Sequence, residues 1–294
     1  MDKVKLLYEK YCEMLRYMPE VKPMTQERFS ARIPVWLEKL SCVEDEGGFL
    51  YYDLTRSGDR CSCRIPLYGC CADQEKTAVK LFQRLAQHVS AEGTCDYQVH
   101  LFRHDEEVLN AFRMMQFCTM SEKCIKPLRD PCGQNSPGIV IRPVLKDELA
   151  RRWQEVWKAV RQILLHLQES PVFYPCNEFT EEVYKQFLFS DDTEVIAAFD
   201  GDHIVGIIEW NKESDTFIGG ENSVNVGEIY VYPSYRDKKL SKALLAAAES
   251  RAKAAGYDYM WVEHGTANPN ARGFWNRYFE PYEYVLVRTI VPVR

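Results

Sequence analysis

Arg236, Lys238 and Lys239 put three cations into four residues, and Lys242 adds a fourth within one helical turn. They stand in "VNVGEIYVYPSYRDKKLSKALLAAAESRAKAAG", Val224 to Gly256, which reads as a strand, a sharp turn after Pro233 and a long helix. A strand that feeds directly into a helix presents free backbone N–H groups at the helix start. With the helix dipole, these favour an anion, most often phosphate. Cations at a helix N-terminus work against that dipole. Their gathering here is better explained by a visiting anion than by a solvated basic turn, so the segment reads as a diphosphate cradle.

Upstream in the same strand, Glu228 lies among Val226, Ile229, Tyr230 and Val231. Desolvation in an apolar strand would raise its pKa toward that of a usable base. The plain alternative is a carboxylate that faces solvent or pairs with an arginine. Glu263 and His264 close a second strand, "YDYMWVEH". His264 could take a proton near neutral pH, although a lone strand-end histidine is more often structural. Glu209 is a candidate to line a substrate pocket.

The elements that must position these groups alternate. Ile139 to Arg142 reads as a strand, and Asp147 to Leu167 as a helix with Trp153, Val156, Val160 and Leu164 at helical spacing. Thr180 is a helix N-cap with Glu181 and Glu182 in the first turn. Two apolar runs flank Asp200-Gly201-Asp202, a hairpin signal. The cradle segment follows, then the strand ending at His264, a short helix "PNARGFWNRYF" and a last strand "YEYVLVRTIV".

On these residues the C-terminal half resembles the GNAT N-acetyltransferase superfamily. "YVYPSYRDKKLSKALL" is similar to its acetyl-CoA loop, with Val231, Pro233 and Arg236 in place and Leu240, Ala243, Leu244 and Leu245 as the helix's apolar positions. "ANPNARGFWNRYF" is similar to its Asn-x-x-Ala-x-x-Phe-Tyr helix through Asn268, Ala271, Phe274 and Trp275. The resemblance implies acetyl-CoA as co-substrate, with the thioester between the strands Val226–Tyr232 and Tyr257–His264. It assigns acetyl-CoA contacts to Ile229, Tyr230, Val231, Arg236, Lys238, Lys239, Leu240, Ser241, Lys242, Asn268, Ala271, Phe274 and Trp275. Glu228 is the candidate base and His264 a second one.

The sequence departs from the pattern in two places. Lys239 and Ser241 stand at the loop's glycine and small-residue positions, where a Cβ restricts backbone approach. A helical conformation at Lys239 is still allowed, and its ammonium can reach a phosphate as a point charge. Trp275 stands where many relatives have a tyrosine proposed to protonate the leaving thiolate. Tyr278 is the substitute candidate, followed by Tyr282.

The first half repeats the order. "KLFQRLAQHVSAEGTCDYQVHLF" and "ALLAAAESRAKAAGYDYMWVEH" both run helix, glycine, strand. Asp73 and Glu75 put negative charge where a phosphate would sit, so this half resembles a degenerate copy. The expected fold is α/β: two tandem GNAT-like domains, each a mixed, mostly antiparallel sheet with a splayed parallel strand pair and flanking helices. The Pro/Gly-rich stretch places the boundaries at 1–130, a linker 131–138, and 139–294.

Bulk properties fit. The 294 residues, 46% hydrophobic and 27% charged, suit two soluble domains. A net charge of -6 disfavours a general nucleic-acid binder. No apolar run approaches the ~20 residues of a membrane span, and no leader opens the chain, so a cytoplasmic protein with reduced thiols is expected. Most of the 11 cysteines read as small core residues, and no grouping has zinc spacing. No metal is expected. The function implied is direct acetyl transfer to a primary amine of a small molecule in a ternary complex. A CoA-binding sensor or scaffold without turnover, and a protein or peptide acetyltransferase, are the alternatives.

Overall fold

The computed structural model describes residues 2–90, 93–129, 138–168, 180–215 and 217–291. The chain forms two compact units, Met1–Cys124 with Glu280–Arg294, and Ile125–Phe279. The linker expected at 131–138 lies outside the described residues except for Gly138.

The first unit opens with two helices, α1 (Lys3–Leu15) and α2 (Gln26–Leu37), capped by the side chains of Asp2 and Thr25. There follow β1 (Ser41–Asp45), β2 (Gly48–Ser57), β3 (Arg60–Ile65), β4 (Cys70–Ala72), α3 (Glu75–Val89), β5 (Thr94–Phe102), α4 (Glu106–Met114) and β6 (Cys118–Pro127). The last strand of the chain, β12 (Glu280–Ile290), completes this unit. Strand order is β1-β2-β3-β5-β12-β6, with β4 paired to β2. The stripe Ala78, Leu81, Phe82, Leu85 and Val89 of α3 is buried in a core with Leu50, Tyr97 and Val99. Helical spacing puts these residues on one face, and burying that face is what holds α3 on the sheet.

β12 pairs antiparallel with β5 from Glu283↔Phe102 to Ile290↔Cys95. Its place in the sequence sets it with 139–294, but its hydrogen bonds set it in the first unit. β3 and β5 pair in parallel from Arg60↔Thr94 to Ile65↔Val99, the full length of β3. A splay along β3, expected for both copies, is therefore not seen in this unit.

The second unit runs β7 (Ile139–Pro143), α5 (Lys146–Arg151), α6 (Trp153–Gln168), α7 (Glu181–Phe189), β8 (Thr193–Asp200), β9 (His203–Asn211), β10 (Ser223–Val231), a 3-10 turn (Pro233–Lys238), α8 (Leu240–Ala254), β11 (Tyr259–Gly265) and α9 (Pro269–Tyr278). β7 to β10 are antiparallel neighbours in chain order, and β11 adds to β10 in parallel. The single helix expected over Asp147–Leu167 is broken at Arg152. That residue has φ -100° and ψ 14°, and its side chain pairs with Glu148, Glu155 and Asp202. Trp153, Val156, Val160 and Leu164 of α6 are buried with Val195, Ala197 and Ile207 of the sheet.

The described cysteines are free thiols. Burial pushes Cys63 and Cys70 up to about 12, as expected of core residues kept away from thiolate chemistry. Among the described residues, no helix is long and apolar enough to cross a membrane.

Candidate active site

β10 and β11 pair only at Ser223↔Tyr259, Val224↔Met260 and Asn225↔Trp261. Beyond Asn225 both strands continue, to Val231 and Gly265, without pairing to each other. This is a splayed parallel pair, and its open edge carries Glu228, Ile229, Tyr230 and Val231. On its other side β10 stays paired to β9 through Val231↔Gly206, with a register shift between Val226 and Ile229. Val226 faces Trp210 and Ile229 faces Ile208, so Gly227 and Glu228 together oppose Glu209. Two residues against one is a β-bulge.

Gly227 explains why the bulge forms there. A Cβ built on it would overlap Glu209 Oε1. The space a side chain would fill holds the Glu209 carboxylate, which accepts the Glu228 backbone N–H at 2.7 Å. Glu209 is 5% exposed, and burial raises its pKa well above the usual range. The Glu228 charge adds to that rise, and the amide donation opposes it. Glu228 is half-buried; burial raises its pKa, and the Tyr184 hydroxyl of α7, donating at 3.4 Å, pulls it back. A carboxylate with a raised pKa at an open strand edge can accept a proton near neutral pH.

From Val231 the chain enters the cationic turn. Arg236 is exposed; its Nε donates to Val231 O at 3.1 Å, and its guanidinium lies 5.9 Å from the Tyr230 ring centroid. These contacts fix the side chain beside the strand end. The side chain of Lys238 lies outside the described residues. Lys239 has φ 57° and ψ 22°, the left-handed conformation that glycine takes freely, and not the right-handed helical one expected. It precedes α8 without a side-chain cap, and no acid stands in the first turn. The first helical bond of that turn is Ala243 N–H to Lys239 O at 3.2 Å. The N–H groups of Leu240, Ser241 and Lys242 thus have no carbonyl within the helix to bond. Leu240, Ala243, Leu244 and Leu245 are buried and anchor the helix under its first turn.

The other flank is α9, which packs on β11. Asn268 is its N-cap, accepting from the N–H groups of Asn270 and Ala271 at 3.2 and 3.3 Å. Its oxygen is therefore engaged in helix geometry. Trp275 is 5% exposed, edge-on to Phe274 at 4.9 Å and to Phe279 at 5.5 Å. Tyr278 is half-buried with its ring 5.2 Å from Phe274, and Ala271 is half-buried. Tyr282, the further candidate, is 1% exposed and belongs to the first unit. His264 is buried, with Nε2 at 3.1 Å from Asn276 Oδ1 and Nδ1 at 3.4 Å from Gly265 O. Both ring nitrogens face carbonyl oxygens, which suits a structural histidine, while Glu263 is exposed.

The predicted residues from Glu228 to Lys242 therefore form one continuous strand edge, turn and helix start. Glu209 and Tyr184, which hold Glu228, were not identified as its partners from the sequence.

A model of the acetyltransferase (GNAT) family matches residues 157–279. That segment is a GNAT domain. Its end coincides with the end of the second unit at Phe279. Among solved structures, the chain is similar to a GCN5-related N-acetyltransferase from Sphaerobacter thermophilus, at 15% identity over 90% of this chain and 87% of that one, with a TM-score of 0.55. A tandem GNAT protein from the clavulanic acid biosynthesis pathway aligns at 11% identity over 98% and 96% of the chains, TM-score 0.49. A GCN5-related N-acetyltransferase from Kribbella flavida aligns at 13% identity over 90% and 94%, TM-score 0.47. The fold likeness rests on the first of these. No curated protein matches the sequence.

In the first unit β3, α3 and β5 run strand, helix and parallel strand, and the start of α3 is acidic. Glu75 occupies the first turn of α3, and Asp73 accepts from the Thr77 hydroxyl at 2.6 Å. Negative charge at this helix start repels phosphate.

Proposed function

We propose that the GNAT domain is an acetyl-CoA-dependent N-acetyltransferase that acylates a primary amine of a small molecule by direct attack in a ternary complex. The observation that carries this reading is the continuity of the site. The open edge of β10 runs from Glu228, backed by the buried Glu209, into a cationic turn and an uncapped helix start. That donor set fits a diphosphate followed by a thioester arm.

Acetyl-CoA supplies an acyl group activated as a thioester. The N–H groups of Leu240, Ser241 and Lys242, with Arg236, Lys238 and Lys239, hold the diphosphate. Ile229, Tyr230 and Val231 offer backbone groups along the open edge to orient the arm and polarise the thioester carbonyl. Asn268, Ala271, Phe274 and Trp275 form the opposite flank. Glu228 takes a proton from the acceptor ammonium, which leaves the amine lone pair to form the new C–N bond as the C–S bond breaks. Tyr278 returns a proton to the departing thiolate. His264, buried with both ring nitrogens facing carbonyl oxygens, is given no proton-transfer step. The Glu228 carboxylate suits a cationic acceptor, and the cytoplasm suits the reduced thiols.

Lys239 and Ser241 favour a second reading, a CoA-binding domain without turnover, because they crowd the loop where glycine eases approach. Thiol release from acetyl-CoA over a panel of primary amines tests the choice. An acceptor with turnover that Glu228→Gln lowers ~100-fold or more supports the transferase. Binding of acetyl-CoA with no turnover on any amine supports the second reading.

A further inference from the structure

The bulge at Gly227 seats the Glu209 carboxyl on the backbone amide of Glu228, whose own carboxyl extends from the same bulge. Glu209 of β9 is seated where a side chain of Gly227 would be and is fastened by the Glu228 amide at 2.7 Å. Glu228 extends from that same bulge towards the Tyr184 hydroxyl. Among the described residues, neither carboxyl is hydrogen-bonded or ion-paired to a cation, and Lys185 of α7 lies over the Trp153 ring instead. Tyr184 comes from α7, Asn225 lies beside Gly227 on β10, and β8 places Val195 opposite Glu209. α6 carries Lys158 and Arg161 on its exposed side, Glu155 bound to Arg152 and to the Ile204 N–H, and a half-buried His166. α8 lies over Gly206 of β9, where it presents Leu244.

Two carboxyls held together in a low-dielectric site do not both ionise readily; one proton stays on the pair. The more buried member retains it, because ionising it costs more hydration. Here that member is Glu209. A protonated carboxyl keeps its carbonyl oxygen as an acceptor, so the bond from the Glu228 amide survives protonation.

We propose that Glu209 is a positioning residue for acyl transfer: seated on the bulge by the Glu228 amide and carrying the pair's proton at neutral pH, it leaves Glu228 as the ionised base. Its catalytic part rests on the transferase reading above; the shared proton does not. The second role of Glu209 is mechanical, since it pins the backbone from which the base extends.

Infrared titration of the whole protein tests the proton directly. The wild type should show a protonated-carboxyl band at pH 7 that Glu209→Gln abolishes. In Glu228→Gln the band should titrate about one pH unit lower or more, because the neighbouring charge is gone. No band at pH 7, a band that survives Glu209→Gln, or a titration unmoved by Glu228→Gln would overturn the proposal. Calorimetric acetyl-CoA binding checks that each variant is folded. With an acceptor in hand, Glu209→Ala should lower kcat ~100-fold at unchanged acetyl-CoA affinity, and Glu209→Gln should recover most of that loss. An alanine variant with undiminished kcat would remove Glu209 from the reaction. If the bands behave as stated and no amine is acetylated, the transferase reading fails and the proton-sharing pair stands.

Discussion

His100 Nδ1 and Glu283 Oε1 are hydrogen-bonded inside the first unit, joining β5 to the last strand of the chain across 183 positions of sequence. Arg64 Nε donates to His100 Nε2 at 3.2 Å, which puts the ring proton on Nδ1, donating to Glu283. Lys123 Nζ lies 3.3 Å from the same carboxylate oxygen. One row of side chains thus crosses β3, β5, β12 and β6. Burial pushes the Glu283 carboxyl up, but Lys123 and His100 outweigh it and hold it below the ordinary range.

That depression sets a pH dependence. A carboxylate whose pKa falls on folding stabilises fully above its unfolded value, about 4.3, and loses that contribution as pH drops through the lower folded value. Glu283→Gln should cost about 3 kcal/mol at pH 7, since it removes the buried negative charge that faces both Lys123 and His100. The variant should also show a shallower fall of stability in acid than the wild type. Urea denaturation from pH 3 to 7 measures both.

Gly227→Ala should break the bulge at the site. The new methyl overlaps Glu209 Oε1, so the carboxylate must swing away and give up the Glu228 amide. Leaving those groups unpaired costs about 1–3 kcal/mol. A fall in Tm of Gly227→Ala, partly reversed by adding Glu209→Ala, checks this. The alanine at 209 removes the overlap without restoring the bond.

Lys239→Gly should separate backbone shape from charge in the cradle. The left-handed conformation costs a non-glycine residue about 1 kcal/mol or somewhat more, so the glycine variant should gain stability of that order. Its acetyl-CoA affinity should stay within a few-fold, about 1 kcal/mol or less. Lys239→Glu should lower affinity about tenfold or more, because it sets an acid against the diphosphate. Equal losses in both variants would mean that the lysine charge, rather than the loop shape, holds the ligand.

Local chemistry explains what was legible in the sequence. The strand, turn and helix from Val224 to Gly256 appear in place, and Gly256 ends α8 at φ 94° with its N–H on Lys253 O. The matching glycine of the first half works differently. Gly93 has no positive φ; a Cβ there would overlap the Asp59 carbonyl oxygen. The rhyme between the halves is therefore one of order, not of capping. Glu209 as the partner of Glu228 escaped because it acts across strands, yet one signal pointed to it. Gly227 is an isolated glycine inside an apolar strand, which marks a bulge or a close approach. Tyr184 carried no such signal, since 44 positions separate it from Glu228. Sequence order alone sets the last strand with 139–294, but an apolar strand can complete any open sheet edge. Glu283 is buried against His100 of β5 and Lys123 of β6.

We place the diphosphate of acetyl-CoA in the turn after Pro233. Calorimetric titration of acetyl-CoA into the wild type, Arg236→Glu and Lys239→Glu tests it most directly. The wild type should bind acetyl-CoA with a micromolar Kd, on the order of -8 kcal/mol, and both variants should weaken it by about tenfold or more. No heat of binding to the wild type at millimolar acetyl-CoA would contradict it, and the acetyltransferase reading would fall with it.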